Sequence, residues 1–263
     1  MNAIILAAGK GERLLPLTKN NPKCMVKLFE KSLIEIQIDT LQKCGISDIS
    51  IVTGYCHEKI SFPNLNYFHN HVYDKTNMVE TLFCAKEKFT DSTIISYGDI
   101  VFEKQVLEKL IDSNDDVSVV VDMSWEKYWK IRFENILDDA ESLILENGYI
   151  KNIGQRVDSL KNIHAQYIGL MKFQNNGISI LQNYYNKMKK FANDNGINPL
   201  NSEIPFEKSF MTDFLQGLIK ENYKIKSVPI ENGWLELDTI HDFEIYQKKI
   251  KNNTISEFYN LKN

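Results

Sequence analysis

A turn rich in small residues follows the first apolar run of the chain: Leu6-Ala7-Ala8-Gly9-Lys10-Gly11-Glu12-Arg13, with Pro22-Lys23 a short loop later. Glycines directly after a strand let backbone N–H groups approach phosphate oxygens closely. Arg13 and Lys23 add cationic partners, so the pattern suits a polyphosphate lying over the Leu6, Ala7, Ala8, Gly9 and Gly11 backbone. It is not the dinucleotide fingerprint, because position 14 is Leu14, and it is not a Walker loop, because Gly-Lys-Ser/Thr is missing. Basic residues in loops are usually just solvated. The closeness of these two to the glycine turn argues for a ligand instead.

Other side chains have types and spacings that suit a substrate. Asn77 and Thr81 stand at i and i+4 at the start of a helical pattern, where they can offer amide and hydroxyl to a base or ribose; Asn77 equally suits an N-cap. Trp125, Tyr128 and Trp129 share one face if their segment is helical, as a core stripe or as a wall for a cationic acceptor, with Glu126 and Glu141 nearby to meet an amine. Arg132 has the geometry for a bidentate contact to an acceptor phosphate or carboxylate, or for a surface ion pair with Glu134 or Asp138. His69 and His71 lie on one side of a strand-like stretch without a third zinc ligand at suitable spacing, which favours solvated histidines. No Ser-His-Asp or Cys-His set stands out.

The elements that must position these residues alternate. Apolar runs at 3–8, 49–52, 66–69, 93–97 and 117–121 read as strands, and helical patterns occupy 32–43, 77–89 and 103–113, with Ser32 as cap and Gly45 as stop. Asn147-Gly148 between two apolar stretches predicts a β-hairpin over 143–145 and 149–153. A strand over 163–173, a helix over 177–191, a polar loop over 192–203, a helix over 208–220, a strand over 223–228 and a helix over 240–251 follow, and the residues from Asn252 are expected to fray. Such alternation implies an α/β fold with helices on both faces of a mixed, mostly parallel sheet. With no linker or repeat in the 263 residues, a single domain over 1–263 is expected, with the hairpin region, roughly 122–175, as an elaboration that binds the acceptor.

Composition narrows the classes. A net charge of −4 argues against a polybasic nucleic-acid binder, and 43% hydrophobic with 25% charged residues is ordinary for a folded protein. The four cysteines show no CxxC pair, which suits reduced thiols. The apolar run near the start is too short for a signal peptide or membrane helix. A cytoplasmic protein with small-molecule partners and no nucleic-acid or membrane partner is expected; a homodimer is compatible with all of this.

The combination Leu6-Ala7-Ala8-Gly9-x-Gly11-x-Arg13 with Pro22-Lys23 resembles the signature of the sugar-phosphate nucleotidyltransferase superfamily. Tyr97-Gly98-Asp99 resembles that family's metal-binding aspartate, and Glu236-Leu237-Asp238 its second metal carboxylate. The stretches from Thr76 to Leu82, from Asp122 through Trp125 and Trp129 to Arg132, Asp139-Ala140-Glu141, and Gln166-Tyr167-Ile168-Gly169-Leu170 are similar to the phosphocholine cytidylyltransferase-like branch. Cys24 departs from the Ala or Leu common after Pro-Lys in relatives.

The resemblance implies a Rossmann-like three-layer fold, CTP as substrate, and an acceptor such as phosphocholine, 2-aminoethylphosphonate or L-glutamine phosphate. The last of these, used in capsule phosphoramidate synthesis, is the nearest. It also implies Mg2+ held by Asp99 and Asp238 with Glu236 assisting, catalysis by Arg13 and Lys23 as pyrophosphate leaves, and an acceptor pocket of Trp125, Trp129, Arg132, Glu141 and Tyr167. Asx-turn and helix-cap roles remain open for Asp99 and Asp238 from the residues alone. Competing readings are a sugar-1-phosphate nucleotidyltransferase using UTP or dTTP, and an inactive nucleotide-binding regulatory subunit.

Overall fold

The computed structural model describes residues 1–260. Its N-terminal half contains strands β1 (Asn2–Ala7), β2 (Lys27–Leu28), β3 (Lys31–Ser32), β4 (Ile49–Thr53), β5 (Asn66–His69), β6 (Ser92–Tyr97), β7 (Ile100–Phe102) and β8 (Val117–Asp122) with helices α1 (Leu33–Lys43), α2 (Met78–Phe83), α3 (Lys104–Asp112) and α4 (Trp125–Arg132). The remainder contains β9 (Glu141–Glu146), β10 (Tyr149–Arg156), β11 (Gln166–Gln174), α5 (Asn176–Asn195), α6 (Met211–Lys220), β12 (Lys226–Ile230), β13 (Trp234–Glu236) and α7 (Ile240–Lys251).

Nine strands form one sheet in the order β5-β4-β1-β6-β11-β8-β12-β10-β9. The pairs among β5, β4, β1 and β6, and the pair β8–β12, are parallel; β11 runs antiparallel to both neighbours. The six residues of β1 are buried throughout because the sheet is covered on both faces. Their alternation divides the core: Ala3, Ile5 and Ala7 join the cluster with α1, α3, α4 and α7, while Ile4 and Leu6 join the cluster with α2, α5 and α6. The expected three-layer α/β fold with a mixed sheet is therefore what forms.

Local chemistry accounts for several boundaries. Ser32 and Glu35 make a reciprocal capping box at α1. Asn147 and Gly148 take φ values of 52° and 78°, the left-handed pair that a tight hairpin between β9 and β10 demands.

Three expectations need correction. The helix expected over 77–89 stops at Phe83, and a short 3-10 turn takes over. The loop expected from 192 begins only after Asn195, where Gly196 ends α5 in the left-handed conformation. Within the segment around 122–175, expected as an elaboration, β11 is the fifth of the nine strands and pairs with β6 and β8. The C-terminal residues do not all fray: Ile255, Phe258 and Tyr259 are buried in the core, and Phe258 packs against Tyr128 with ring centroids 5.6 Å apart. Phe258→Ala is expected to cost about 3–5 kcal/mol of stability by emptying this position, measured as a lower denaturation midpoint; a change under about 1 kcal/mol would show that the segment is dispensable.

Candidate active site

The cleft opens at the C-terminal ends of the parallel strands, with the glycine turn following β1 along its floor. Gly11 takes φ 69°, and a Cβ there would stand 2.9 Å from the Cβ of Lys23. Only glycine lets the Lys23 stem run beneath the turn, which Thr18 pins through a 2.7 Å hydrogen bond to the Gly11 carbonyl.

The Lys23 ammonium lies between two carboxylates, 2.6 Å from Asp99 Oδ2 and 2.6 Å from Asp238 Oδ1. Burial alone would push its pKa down; Asp99, Asp238 and Glu236 more than reverse this and raise it, so the ammonium stays charged. Arg13, mostly exposed, reaches Asp238 Oδ2 at 2.6 Å.

Two chain segments far apart in sequence bring these carboxylates together. Asp99 sits in the turn between β6 and β7, where Gly98 N–H donates to the Leu6 carbonyl at 2.9 Å. Gln37 of α1 clamps the same turn, donating to the carbonyls of Tyr97 at 2.9 Å and Ile100 at 2.7 Å while its own oxygen accepts from Ser96. Strand β13 then pairs antiparallel with β7, placing Glu236 opposite Ile100, and Leu237 N–H donates to the Asp99 carbonyl. Neither short strand shows as a pattern in the sequence, and Gln37 shows only as a polar residue at core spacing between Leu33 and Leu41.

Asp238 does not cap α7. Thr239 does so, in a capping box with Asp242, and Asp242 also accepts from the Asp238 N–H at 3.1 Å. The Asp238 carboxylate is thereby left to face Lys23 and Arg13.

Asp99 Oδ1 is buried and has no hydrogen-bond partner. An orphaned carboxylate oxygen beside a second carboxylate fits a hard divalent cation. Among the described residues no group of three His, Cys, Asp or Glu side chains forms a cage, so water and phosphate oxygens would have to supply the rest of the shell.

Two joined hollows fill the cleft. The larger, about 480 Å³, is lined by residues that include Leu6, Ala7, Ala8, Gly9, Gly11, Arg13, Lys23, Asn77, Thr81 and Asp99. Asn77 does cap α2, accepting from Met78 N–H at 2.9 Å, and the Thr81 hydroxyl accepts from Asn70 at 3.1 Å. The smaller, about 180 Å³, is lined by Glu141, Tyr167 and Trp129, together with Asp139, Gln166 and Thr212. Asp139 holds the Trp129 indole N–H at 3.0 Å. Glu141 lines this hollow and is solvent-exposed; the protein packed around it, with Asp139 and Asp213 nearby, pushes its carboxyl up to about 7. Glu236 is likewise lifted to about 7, by burial first and by Asp99 and Asp238, against the pull of Arg132.

Arg132 and Trp125 do not line the smaller hollow. The Arg132 side chain is 1% exposed, bonded to Asp242 at 2.9 Å and Glu236 at 2.8 Å, and its guanidinium lies over the rings of Tyr128, Trp129 and Phe133. Trp125 is 4% exposed and packs edge-on against Trp129. The helical spacing of the aromatic residues turns their stripe into the core against α7, and Arg132 follows it inward. Its partners lie more than a hundred residues away, beyond what local spacing indicates. His69 and His71 are joined by His57, with ring centroids 4.2 and 4.3 Å apart, at the outer edge of the sheet.

A model of the MobA-like NTP transferase domain matches residues 3–154. The chain belongs to the MobA-like NTP transferase family. It is 40% identical, over 95% of its length and all of the relative's, to CTP:phosphoglutamine cytidylyltransferase of Campylobacter jejuni. Identity to choline-phosphate cytidylyltransferase of Streptococcus pneumoniae is 38% across 43% of this chain and 51% of that one. The solved structure of CTP:phosphocholine cytidylyltransferase from Streptococcus pneumoniae superposes with a TM-score of 0.70, covering 95% of this chain and 98% of the other at 22% identity. This member of the family is thus a nucleotidyltransferase with the fold of the cytidylyltransferases.

Because Arg132, itself buried, neutralises the buried Asp242 and the partly buried Glu236, Arg132→Ala should lower stability by roughly 3–5 kcal/mol, read from denaturant unfolding. A stability within about 1 kcal/mol of wild type, with acceptor KM alone raised, would return Arg132 to the acceptor site.

Proposed function

We propose that the protein transfers CMP from CTP to a small phosphorylated amine or amino acid, releasing pyrophosphate, with L-glutamine phosphate as the favoured acceptor. The observation that carries this reading is the pair of hollows meeting at Arg13, Glu236 and Asp238: one is large enough for a nucleotide over the glycine turn, the other is small and acidic. The relatives' names supply the nucleotide and the acceptor class. A sugar phosphate carries no cation to meet Asp139 and Glu141, so these side chains favour an amine-bearing acceptor over a sugar-1-phosphate.

In this reaction an oxygen of the acceptor's phosphate attacks the α-phosphorus of CTP, the α–β phosphoanhydride bond breaks, and pyrophosphate leaves with the electron pair. Placement and charge neutralisation supply the rate, since no covalent nucleophile is required. The glycine-turn backbone seats the triphosphate. Arg13 and Lys23 carry positive charge to the side where pyrophosphate departs. Asn77 and Thr81 meet the nucleoside, while Glu141 and Asp139 orient the acceptor's ammonium against the rings of Trp129 and Tyr167. Mg2+ would be held by Asp99 and Asp238, with Glu236 close by, and would neutralise phosphate charge. A cytoplasmic enzyme supplying an activated headgroup for cell-surface polysaccharide is the setting this reading implies.

The test is pyrophosphate release with Mg2+, CTP or another nucleoside triphosphate, and a panel of L-glutamine phosphate, phosphocholine, 2-aminoethylphosphonate and glucose-1-phosphate. Release with CTP and an amine-bearing acceptor, abolished in Asp99→Ala, is expected; release with glucose-1-phosphate alone would overturn the acceptor class. The Glu141 carboxyl, ionised only above about pH 7, adds a second expectation. Acceptor KM should fall as pH rises through that value, and Glu141→Gln should remove this component of the pH profile. An identical profile in the variant would place the ammonium elsewhere.

A further inference from the structure

Phe210 is 44% exposed, yet it lines both hollows of the cleft. Other exposed apolar side chains, such as Phe191 and Ile197, lie at the end of α5 and line neither hollow. Scattered apolar residues of that kind need no explanation. A phenylalanine held at the junction of two substrate hollows is different, because the segment carrying it is fixed on every side.

Its own N–H donates to Asp213 Oδ2 at 2.9 Å, and the other Asp213 oxygen accepts from Asn201 at 3.1 Å. The preceding Ser209 is fully buried and accepts from Asn198 at 2.9 Å. Across the cleft, the Asn77 N–H donates to the Glu207 carbonyl at 2.8 Å, and Lys208 Nζ reaches the Asp74 carbonyl at 2.8 Å. The segment before Phe210 is therefore strapped to the segment that leads into α2 and the nucleotide side of the cleft.

We propose that Phe210 is a positioning residue whose ring packs against bound nucleotide and bound acceptor together and keeps water from the α-phosphorus. The proposal rests on the cytidylyl-transfer reading above. Transfer and hydrolysis differ only in the attacking oxygen: with water in place of the acceptor's phosphate oxygen, the same α–β bond breaks, CTP and water give CMP and pyrophosphate, and a proton is released. A preformed apolar wall at the junction favours the acceptor over water by excluding one and aligning the other. Because Phe210 is exposed to nearly half its extent in the free protein and is absent from the buried core, its loss should leave the fold intact.

The experiment compares wild type with Phe210→Ala, Phe210→Leu and Phe210→Tyr. It measures CMP and the CMP–acceptor product separately with CTP and Mg2+, with and without L-glutamine phosphate, alongside each variant's Tm. Phe210→Ala should lose roughly tenfold in transfer, with a raised acceptor KM, and should form several-fold more CMP per product than wild type. Phe210→Tyr should restore the wild-type ratio at an unchanged Tm. A wild-type ratio of CMP to product in both Phe210→Ala and Phe210→Leu would overturn the proposal. If Phe210→Ala fails to fold, Phe210→Leu decides by the same ratio. Absence of any turnover in wild type would instead count against the cytidylyl-transfer reading. CTP binding by calorimetry then judges Phe210 alone: weaker binding in Phe210→Ala supports it, and unchanged binding overturns it.

Discussion

The Lys23 ammonium between Asp99 and Asp238 ties three distant parts of the chain to one point. The glycine turn contributes the lysine's path, the end of β6 contributes Asp99, and the stretch between β13 and α7 contributes Asp238. Gathering carboxylates in a partly buried cleft is costly unless they are compensated. Lys23 and Arg13 compensate Asp99 and Asp238, and Arg132 compensates Glu236 and Asp242. The cations thus allow the protein to hold an acidic site ready before any substrate arrives.

The same arrangement explains why rigid elements surround the site. Gln37 fixes the Asp99 turn from beneath, and the Thr239–Asp242 box starts α7 one residue beyond Asp238. Tyr128 and Tyr246 share a hydrogen bond beneath the Glu236 backbone, and both hydroxyls also contact that backbone directly. Tyr128, which in the sequence resembles part of a ligand cage, instead holds α4 to α7 through Tyr246 and so steadies the Glu236 backbone. Catalysis that depends on placement needs such support more than it needs an additional reactive group.

Helix α6 and the segment before it complete the cleft from the opposite face of the sheet. Thr212 and Phe210 line the smaller hollow, and the bond from Asn77 to Glu207 joins that segment to the start of α2 beside the larger one. The two hollows are therefore enclosed by elements belonging to opposite core clusters, joined at the strand ends. In open α/β sheets that is where ligand crevices form.

The α/β alternation, the capping box of α1, the Asn147-Gly148 hairpin and the glycine turn were all legible in the sequence, because each is dictated by neighbours within a few residues. Arg13 and Lys23 stood out by their closeness to the glycine turn, and Asp99 and Asp238 through the resemblance to the nucleotidyltransferase signature. Tertiary structure alone decided that β11 lies at the centre of the sheet, that residues 255–259 pack into the core, and that Arg132 turns inward to Asp242. It alone brought Phe210 to the junction of the hollows and paired β7 with β13, two strands of three residues each that carry no periodic signal. Local preference sets the type of an element, but the partner of a buried charge or a short strand is chosen by the packing of the whole chain.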